Sequence, residues 1–211
     1  MQAPGRRSAV RDVALVVLSR YPDIFKGFYE SISKYEPRGL KILIRDGNLI
    51  QQHVSKTWAV MDGEQPFIFA RNMNYGWRCV PNYDVVLVGD DVRFTEPFIK
   101  KLRKVAYSDP KIGFAVPELG GQSCFVCAYV KRDLINEVGP MDERFDGYGM
   151  DDVDYYTRFE ALGWRTQPTT EVKMLHTGGT SFYRREREGL IKVQESGEEM
   201  HRRFDEKWGA K

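Results

Sequence analysis

Two short stretches of this sequence, Val13–Leu18 and Asp84–Val88, are apolar almost without a break. A strand with one face in water alternates apolar and polar residues. An unbroken Val-rich run instead describes a strand buried on both faces, as in a parallel sheet covered by helices. After the first run come Pro22 and Asp23, then Ile24, Phe25, Phe28, Tyr29, Ile32 and Tyr35 at the spacing of one helix face. Pro22 stands where a helix can begin, and Pro37 and Gly39 lie past its end. Leu40–Ile44 reads as a second strand, stopped by Asp46, Gly47 and Asn48. The chain therefore opens strand, helix, strand, and a right-handed crossover is expected.

The remaining pattern extends this opening. Thr57–Met61 and Phe67–Ala70 are weaker strand candidates. After Asp84–Val88, Thr95 is placed to cap a helix carrying Phe98, Leu102 and Val105 on one face. Ile112–Val116 and Ser123–Val130 read as strands, and Arg132–Val138 as a short helix closed by Gly139. Asp151–Leu162 is a helix ended by Gly163, and Val172–Leu175 a last strand. Val193, Met200, Phe204 and Trp208 mark a C-terminal amphipathic helix. No internal repeat and no Pro-, Gly- or Ser-rich linker divides the chain. The expectation is one α/β domain over residues 1–211, with residues 1–11 flexible and 183–211 a helical extension.

Composition narrows the class. The chain has 211 residues, 42% hydrophobic and 29% charged, with a formal net charge of +2. That charge is too small by itself to argue for nucleic acid or an anionic membrane as partner. No apolar run approaches the roughly 20 residues that span a bilayer. The polar, basic start, Met1–Arg11, lacks the apolar core of a signal peptide. A cytoplasmic protein is the expectation. Cys124 and Cys127 have CxxC spacing, but Phe125 and Val126 between them read as strand. Alternate residues of a strand face opposite sides, so two apolar cysteines are favoured over a redox pair or zinc half-site.

Three groups of residues carry chemistry. Asp90 and Asp91 follow an apolar strand directly, where open α/β sheets bind ligands. A carboxylate there can hold a hard divalent cation, although acidic residues are also common in turns. The run from Asp142 to Asp154 is dense in carboxylates and precedes a helix. Acids in a first turn favour the helix dipole, which accounts for Asp151 or Asp152 but less well for the glycine–aromatic loop Gly147-Tyr148-Gly149 before them. A carboxylate beside a sugar-sized pocket can act as general base on a hydroxyl. His176 follows a strand and precedes a glycine turn. Most lone histidines are structural, but at a strand end the imidazole suits Mn²⁺-class ions. Among aromatics, Tyr148 is the pocket candidate, Trp164 a packing residue, and Trp58 and Trp77 are open. Arg184, Arg185 and Arg187 are interleaved with acids, and read either as a solvated helix start or as a holder for a phosphate-bearing acceptor.

In order and together, these segments resemble the GT-A glycosyltransferases, especially family-2-like enzymes. The similarity runs from about Val13 to Phe182. Asp84–Val92 looks like the strand bearing the DxD motif. Gly139–Phe145 looks like "GxFDExF". Gly147–Asp154 looks like the acidic motif that follows, and is similar to "GWGGEDDD" of β-1,4-galactosyltransferases. Ala161–Arg165 and His176 complete the pattern. The resemblance implies a Rossmann-like, mostly parallel α/β sheet and a divalent metal, Mn²⁺ or Mg²⁺, with Asp91 and His176 as its ligands. It implies Asp152 as the catalytic base of an inverting reaction and Asp151 as its neighbour, a second catalytic candidate and an acceptor contact beside Tyr148. Asp46, Arg71 and Asn72 match donor-binding segments; Ser19, Arg20 and Tyr21 fall where the base rests. Gly89 replaces the first Asp of DxD, and Asp90 is the candidate substitute on the donor side. The implied partners are a nucleotide-sugar donor, UDP-linked by default, and an acceptor that is a glycan, a lipid-linked molecule, a protein or nucleic acid.

Two other readings stand beside this one. A sugar-phosphate nucleotidyltransferase would carry a glycine-rich basic loop after the first strand, where this chain has Ser19-Arg20-Tyr21-Pro22-Asp23. A non-catalytic nucleotide-sugar-binding module would fit the Gly89 departure, with Asp152 and His176 weighing against it.

Overall fold

The computed structural model describes residues 11–47, 54–118, 124–178 and 180–209. The expectation of a flexible start therefore lies outside the described residues except at Arg11, which is ion-paired to Asp133 at 2.6 Å.

The opening unit is β1 (Val13–Ser19), α1 (Pro22–Tyr35) and β2 (Leu40–Arg45). Then follow β3 (Trp58–Asp62), α2 (Phe69–Cys79), β4 (Asp84–Gly89), β5 (Val92–Phe94), α3 (Ile99–Ala106) and β6 (Ile112–Pro117). The second half holds β7 (Cys127–Val130), α4 (Arg132–Val138), α5 (Asp151–Ala161), β8 (Arg165–Thr169), β9 (Met174–His176), α6 (Thr180–Arg187) and α7 (Val193–Trp208). The seven-stranded sheet has the order β3-β2-β1-β4-β7-β6-β8. β1 pairs in parallel with β2 and β4, β2 with β3, and β6 with β8, while β7 is antiparallel to both its neighbours. The expected α/β class with a mostly parallel sheet is what the chain adopts.

Both sheet faces are buried, as the unbroken runs require. Ala14, Val16, Ile42, Ile44, Val85 and Leu87 face one core layer, which α2 and α5 cover with Met73, Trp77, Tyr155 and Phe159. Leu15, Val17, Leu43, Val86 and Val88 face the other, covered by Phe25, Phe28 and Ile32 of α1 and by Leu102 and Ala106 of α3. Among the described residues no helix is long and apolar enough to cross a membrane.

Several local expectations are corrected. Phe67–Ala70 is no strand: α2 begins at Phe69. Its buried side carries Asn72, Asn74 and Gly76 among Ala70, Met73 and Trp77, so the apolar period is broken by residues that are nonetheless inside. Gly76 lets the helix close on β1, since a Cβ there would lie 2.6 Å from Val16. Thr95 does not cap α3. Phe98 occupies that place without a side-chain cap, and the Glu36 carboxylate, past the end of α1, accepts from the amides of Phe98 and Ile99 at 2.7 and 2.9 Å. The strand expected over Ser123–Val130 is shorter. Cys124–Val126 form a 3₁₀ turn and the strand starts at Cys127, so the face-alternation argument reaches only the buried Cys127; Ser123 lies outside the described residues. β9 begins two residues later than expected and ends on His176. The polar edge strand β8 and the three-residue β5 leave no apolar signature. The C-terminal helices begin at Thr180 rather than at 183.

Candidate active site

At β1 the sheet order reverses: β2 and β3 lie to one side and β4 to the other. Crossover loops leave in opposite directions at such a point, which opens a crevice at the carboxyl ends of the strands. A cavity of about 380 Å³ sits there. Ser19 and Arg20 from the end of β1, Asp46 from the end of β2, and Gly89, Asp90 and Asp91 from the end of β4 line it. Tyr148 enters from the loop before α5, Asp151 and Asp152 from the first turn of α5, His176 from β9, and Arg185 from α6. The opposite wall is apolar and includes Phe67, Phe69, Phe125 and Phe182.

Asp91 and His176 are far apart in sequence and meet through a small second sheet. β5 and β9 pair antiparallel with Val92 opposite His176. The Thr177 amide and hydroxyl both donate to the Asp91 carbonyl, at 3.3 and 3.1 Å. The His176 Nε2 thereby lies 3.4 Å from the Asp91 Oδ2, both side chains being about 14% exposed or less. One carboxylate oxygen and one imidazole nitrogen form a donor set that suits Mn²⁺, and a divalent cation here would also accept oxygens from a ligand. Among the described residues no third carboxylate, imidazole or thiol joins them as a cluster. The residues fit a shared, ligand-completed cation site rather than an all-protein cage.

Gly89, the departure from DxD, has a local reason. A Cβ at this position would stand 2.8 Å from the Asp91 Oδ1, so glycine leaves room for that carboxylate. Asp90 does not take the missing place in open solvent. It is buried and accepts a 2.5 Å hydrogen bond from the Ser19 Oγ. Burial, reinforced by the charge of Asp91, pushes Asp90 up to about 7 despite that hydrogen bond.

The acidic pair occupies the first turn of α5, entered through Gly149 and Met150, both at positive φ (85° and 67°). Burial and then the charge of Asp152 push Asp151 up to about 7. Such a pair places a proton acceptor of near-neutral affinity in a cleft. Tyr148 is held by its amide, which donates to the Ser196 Oγ at 3.0 Å, and its ring meets Phe182 edge-on with centroids 4.7 Å apart.

Three of the residues singled out by sequence stand behind the cavity rather than on its surface. Tyr21 is buried, its hydroxyl donating to Glu188 at 2.7 Å under the Arg184 guanidinium. Asn72 is fully buried: it accepts from the Glu64 amide at 2.8 Å and donates to the Glu64 and Ile68 carbonyls, each at 3.1 Å. It thereby fixes the loop bearing Phe67 and Ile68. Arg71 pairs with Glu143 at 3.1 Å, bracing the loop that leads to the acidic pair. Asp46 lines the cavity but already accepts from Arg20 and, at 3.0 Å, from Gln65. Trp58, Trp77 and Trp164 are all buried in the core.

Two of the cations that line the cavity have a buried nitrogen with no protein partner among the described residues. The Arg20 Nη1 and the Arg185 Nε are both buried without a hydrogen-bond acceptor among the described residues. Burial, followed by the nearby Arg20 charge, lowers the proton affinity of Arg185. Buried donors left open in a cleft are satisfied by a ligand, and guanidinium groups suit phosphate oxygens. The sequence shows a basic cluster here; only the structure separates Arg185, in the cavity, from Arg184, paired with Asp23 at 2.8 Å. Asp146, from the carboxylate-dense run, also lines the cavity, whereas the aromatic wall was not singled out by the sequence.

No protein-family model matches the chain, and no curated protein sequence matches it. Solved structures do. A mannosyltransferase from Pyrobaculum calidifontis, solved with GDP-Man and Mn²⁺, superposes with a TM-score of 0.59 at 14% identity, covering 86% of this chain and 62% of the other. The catalytic domain of Drosophila β1,4-galactosyltransferase 7, with xylobiose, gives 0.55 at 15% identity over 82% of this chain and 73% of the other. GalNAc-T7 with UDP, GalNAc and Mn²⁺ gives 0.61 at 11% identity over 79% of this chain and 43% of that chain. The fold is GT-A. The chain thus spans less than two thirds of the mannosyltransferase and under half of GalNAc-T7. Within the GT-A frame, the cavity lies at the switch point, where the fold brings the strand ends together.

Proposed function

We propose that this chain is a metal-dependent glycosyltransferase that moves a sugar from a nucleoside-diphosphate sugar to an acceptor hydroxyl with inversion. The observation that carries the reading is the convergence, in one cavity, of the Asp91–His176 pair, the Asp151–Asp152 pair and the open nitrogens of Arg20 and Arg185. The GT-A neighbours, solved with nucleotide sugars or nucleotides and Mn²⁺, support it.

Asp91 and His176 would hold the cation, which when bound would offset charge on the departing diphosphate. Arg20 and Arg185 would take phosphate oxygens, satisfying their buried donors. Asp152 receives the acceptor's proton as the acceptor oxygen bonds to the anomeric carbon. The bond from that carbon to the diphosphate oxygen breaks, and its electron pair leaves with the nucleoside diphosphate. One observation favours a second assignment within this mechanism: Asp151, raised to about 7, has the proton affinity a base needs at neutral pH. UDP is the default nucleotide, and the aromatic wall with Tyr148 would receive the sugar and acceptor.

The test is donor hydrolysis across UDP-, GDP- and dTDP-sugars, with and without Mn²⁺, on wild type and Asp91→Ala. Metal-dependent release of one nucleotide, lost in the variant, is expected. Failure to release any nucleotide, together with no calorimetric binding of UDP and Mn²⁺, would overturn the reading. Product NMR showing retention would overturn inversion.

A further inference from the structure

Gly27 lies inside α1, more than one turn from either end, where glycine is a poorer helix former than alanine. Its φ is ordinary, so no turn requires it. The reason is steric. A Cβ at this position would stand 2.3 Å from the Arg93 Nε and 2.6 Å from its Nη2. The Arg93 guanidinium lies against the helix at the place where Gly27 has no side chain. From there its Nη2 donates to the Ile24 carbonyl of α1 at 2.7 Å, and its Nη1 donates to the carbonyls of Asp90 and Val92 at 3.0 and 2.8 Å.

We infer that Arg93 and Gly27 form a latch that fixes the Asp90–Asp91 turn, making Arg93 a positioning residue for the cation site. The Asp90–Asp91 turn has three anchors. Ser19 holds the Asp90 side chain, Thr177 holds the Asp91 carbonyl, and Arg93 ties the Asp90 carbonyl to α1. The first two are local to the strand ends. Arg93 joins the turn to α1, the helix packed against this face of the sheet. β5, which carries Arg93, is also the strand whose pairing brings His176 to Asp91. Moving Arg93 therefore shifts one ligand of the pair against the other. Partners that orient ligands in this way are typically worth 10–100-fold in metal affinity.

The part of the inference that concerns metal rests on the function proposed above, and the experiment separates the two. Gly27→Ala is the clean perturbation. The atoms it displaces are the far end of a flexible side chain, so the helix gains propensity while the guanidinium is pushed off its three carbonyls. Arg93→Met removes the guanidinium directly, and the double variant closes the cycle. Two measurements are made on each protein. Hydrogen–deuterium exchange of the amides of residues 90–93 is followed in metal-free protein, and Mn²⁺ binding is titrated by electron paramagnetic resonance with UDP present. The expected result is faster exchange at the turn and about tenfold weaker Mn²⁺ binding in both single variants. The melting temperature of Gly27→Ala should fall no further than that of Arg93→Met, because the helix gains propensity, and the double variant should be no worse than Arg93→Met. Unchanged exchange at the turn in both single variants would overturn the latch, as would additive effects in the double variant. If wild type binds no Mn²⁺, the proposed function fails, while the exchange data still decide the latch.

Discussion

Burial and the neighbouring Asp152 carboxylate push Asp151 from an ordinary 3.8 up to about 7. A carboxylate raised in the folded state is easier to ionise in the unfolded chain. It therefore subtracts stability, increasingly as pH rises from about 4 to about 7, and by a constant amount above. Asp151→Asn removes that penalty. Ligand-free Asp151→Asn should melt higher than wild type at pH 8, with the gap closing as pH falls toward 4 in a series of thermal melts. In turnover, Asp152→Asn should retain donor affinity and lose at least about 100-fold in kcat, the usual scale of a general base. The same loss in Asp151→Asn, with Asp152→Asn nearly active, would move the base to Asp151. Arg185→Ala should raise donor KM while sparing the fold, because its buried Nε makes no protein hydrogen bond to lose.

Two helices brace the walls of the cavity. α2 supplies Asn72 to the loop carrying Phe67, and Asn74, with Arg71, to the loop carrying Met141 and Glu143. Its first residue, Phe69, lines the cavity, and its asparagines set the spacing of two walls from behind. α7 reaches the Tyr148 side of the cavity: Ser196 receives the Tyr148 amide, and a Cβ on Gly147 would lie 2.4 Å from the Ser196 Oγ. Ser196→Ala should loosen the Gly147–Gly149 loop, raising acceptor KM while leaving donor hydrolysis near wild type. The helix is locked in place by Asp154, which is fully buried and accepts from Lys207, Arg158 and the Trp208 indole. Removing one partner of a buried ion pair strands the others. Asp154→Asn should therefore lower unfolding free energy by roughly 3 kcal/mol, measured by denaturant titration.

At the scale of the molecule, the cavity draws on β1, β2, β4, the loop before α5, β9 and α6 at once. A ligand that bridges these elements binds the native state and not the unfolded chain. Mn²⁺ with UDP at a hundredfold excess over Kd should add about 2.7 kcal/mol to stability. On the proposed function, the accompanying rise in melting temperature should disappear in Asp91→Ala and in His176→Ala, since the two residues would act through one cation.

The central strands and their helices were legible in the amino-acid sequence because a strand buried on both faces has no choice of residue but apolar ones. Val13–Ser19 and Asp84–Gly89 could be read to within a residue for that reason. The positions of Asp91, Asp152 and His176 were legible as carboxylates and an imidazole at strand and helix ends. Their meeting was not. It depends on the register of β5 against β9, two strands of three residues each, too short to leave a periodic trace. α2 stayed hidden because its buried asparagines satisfy their hydrogen bonds against loops, Asn72 against the one just before the helix and Asn74 against the distant one at Met141, which an apolar period cannot express. Nor could a run of arginines reveal which one loses its protein partners. Sequence dictates where a side chain sits along its own element. Whether its polar atoms are paired, or left open for a ligand, is decided by the elements that fold against it.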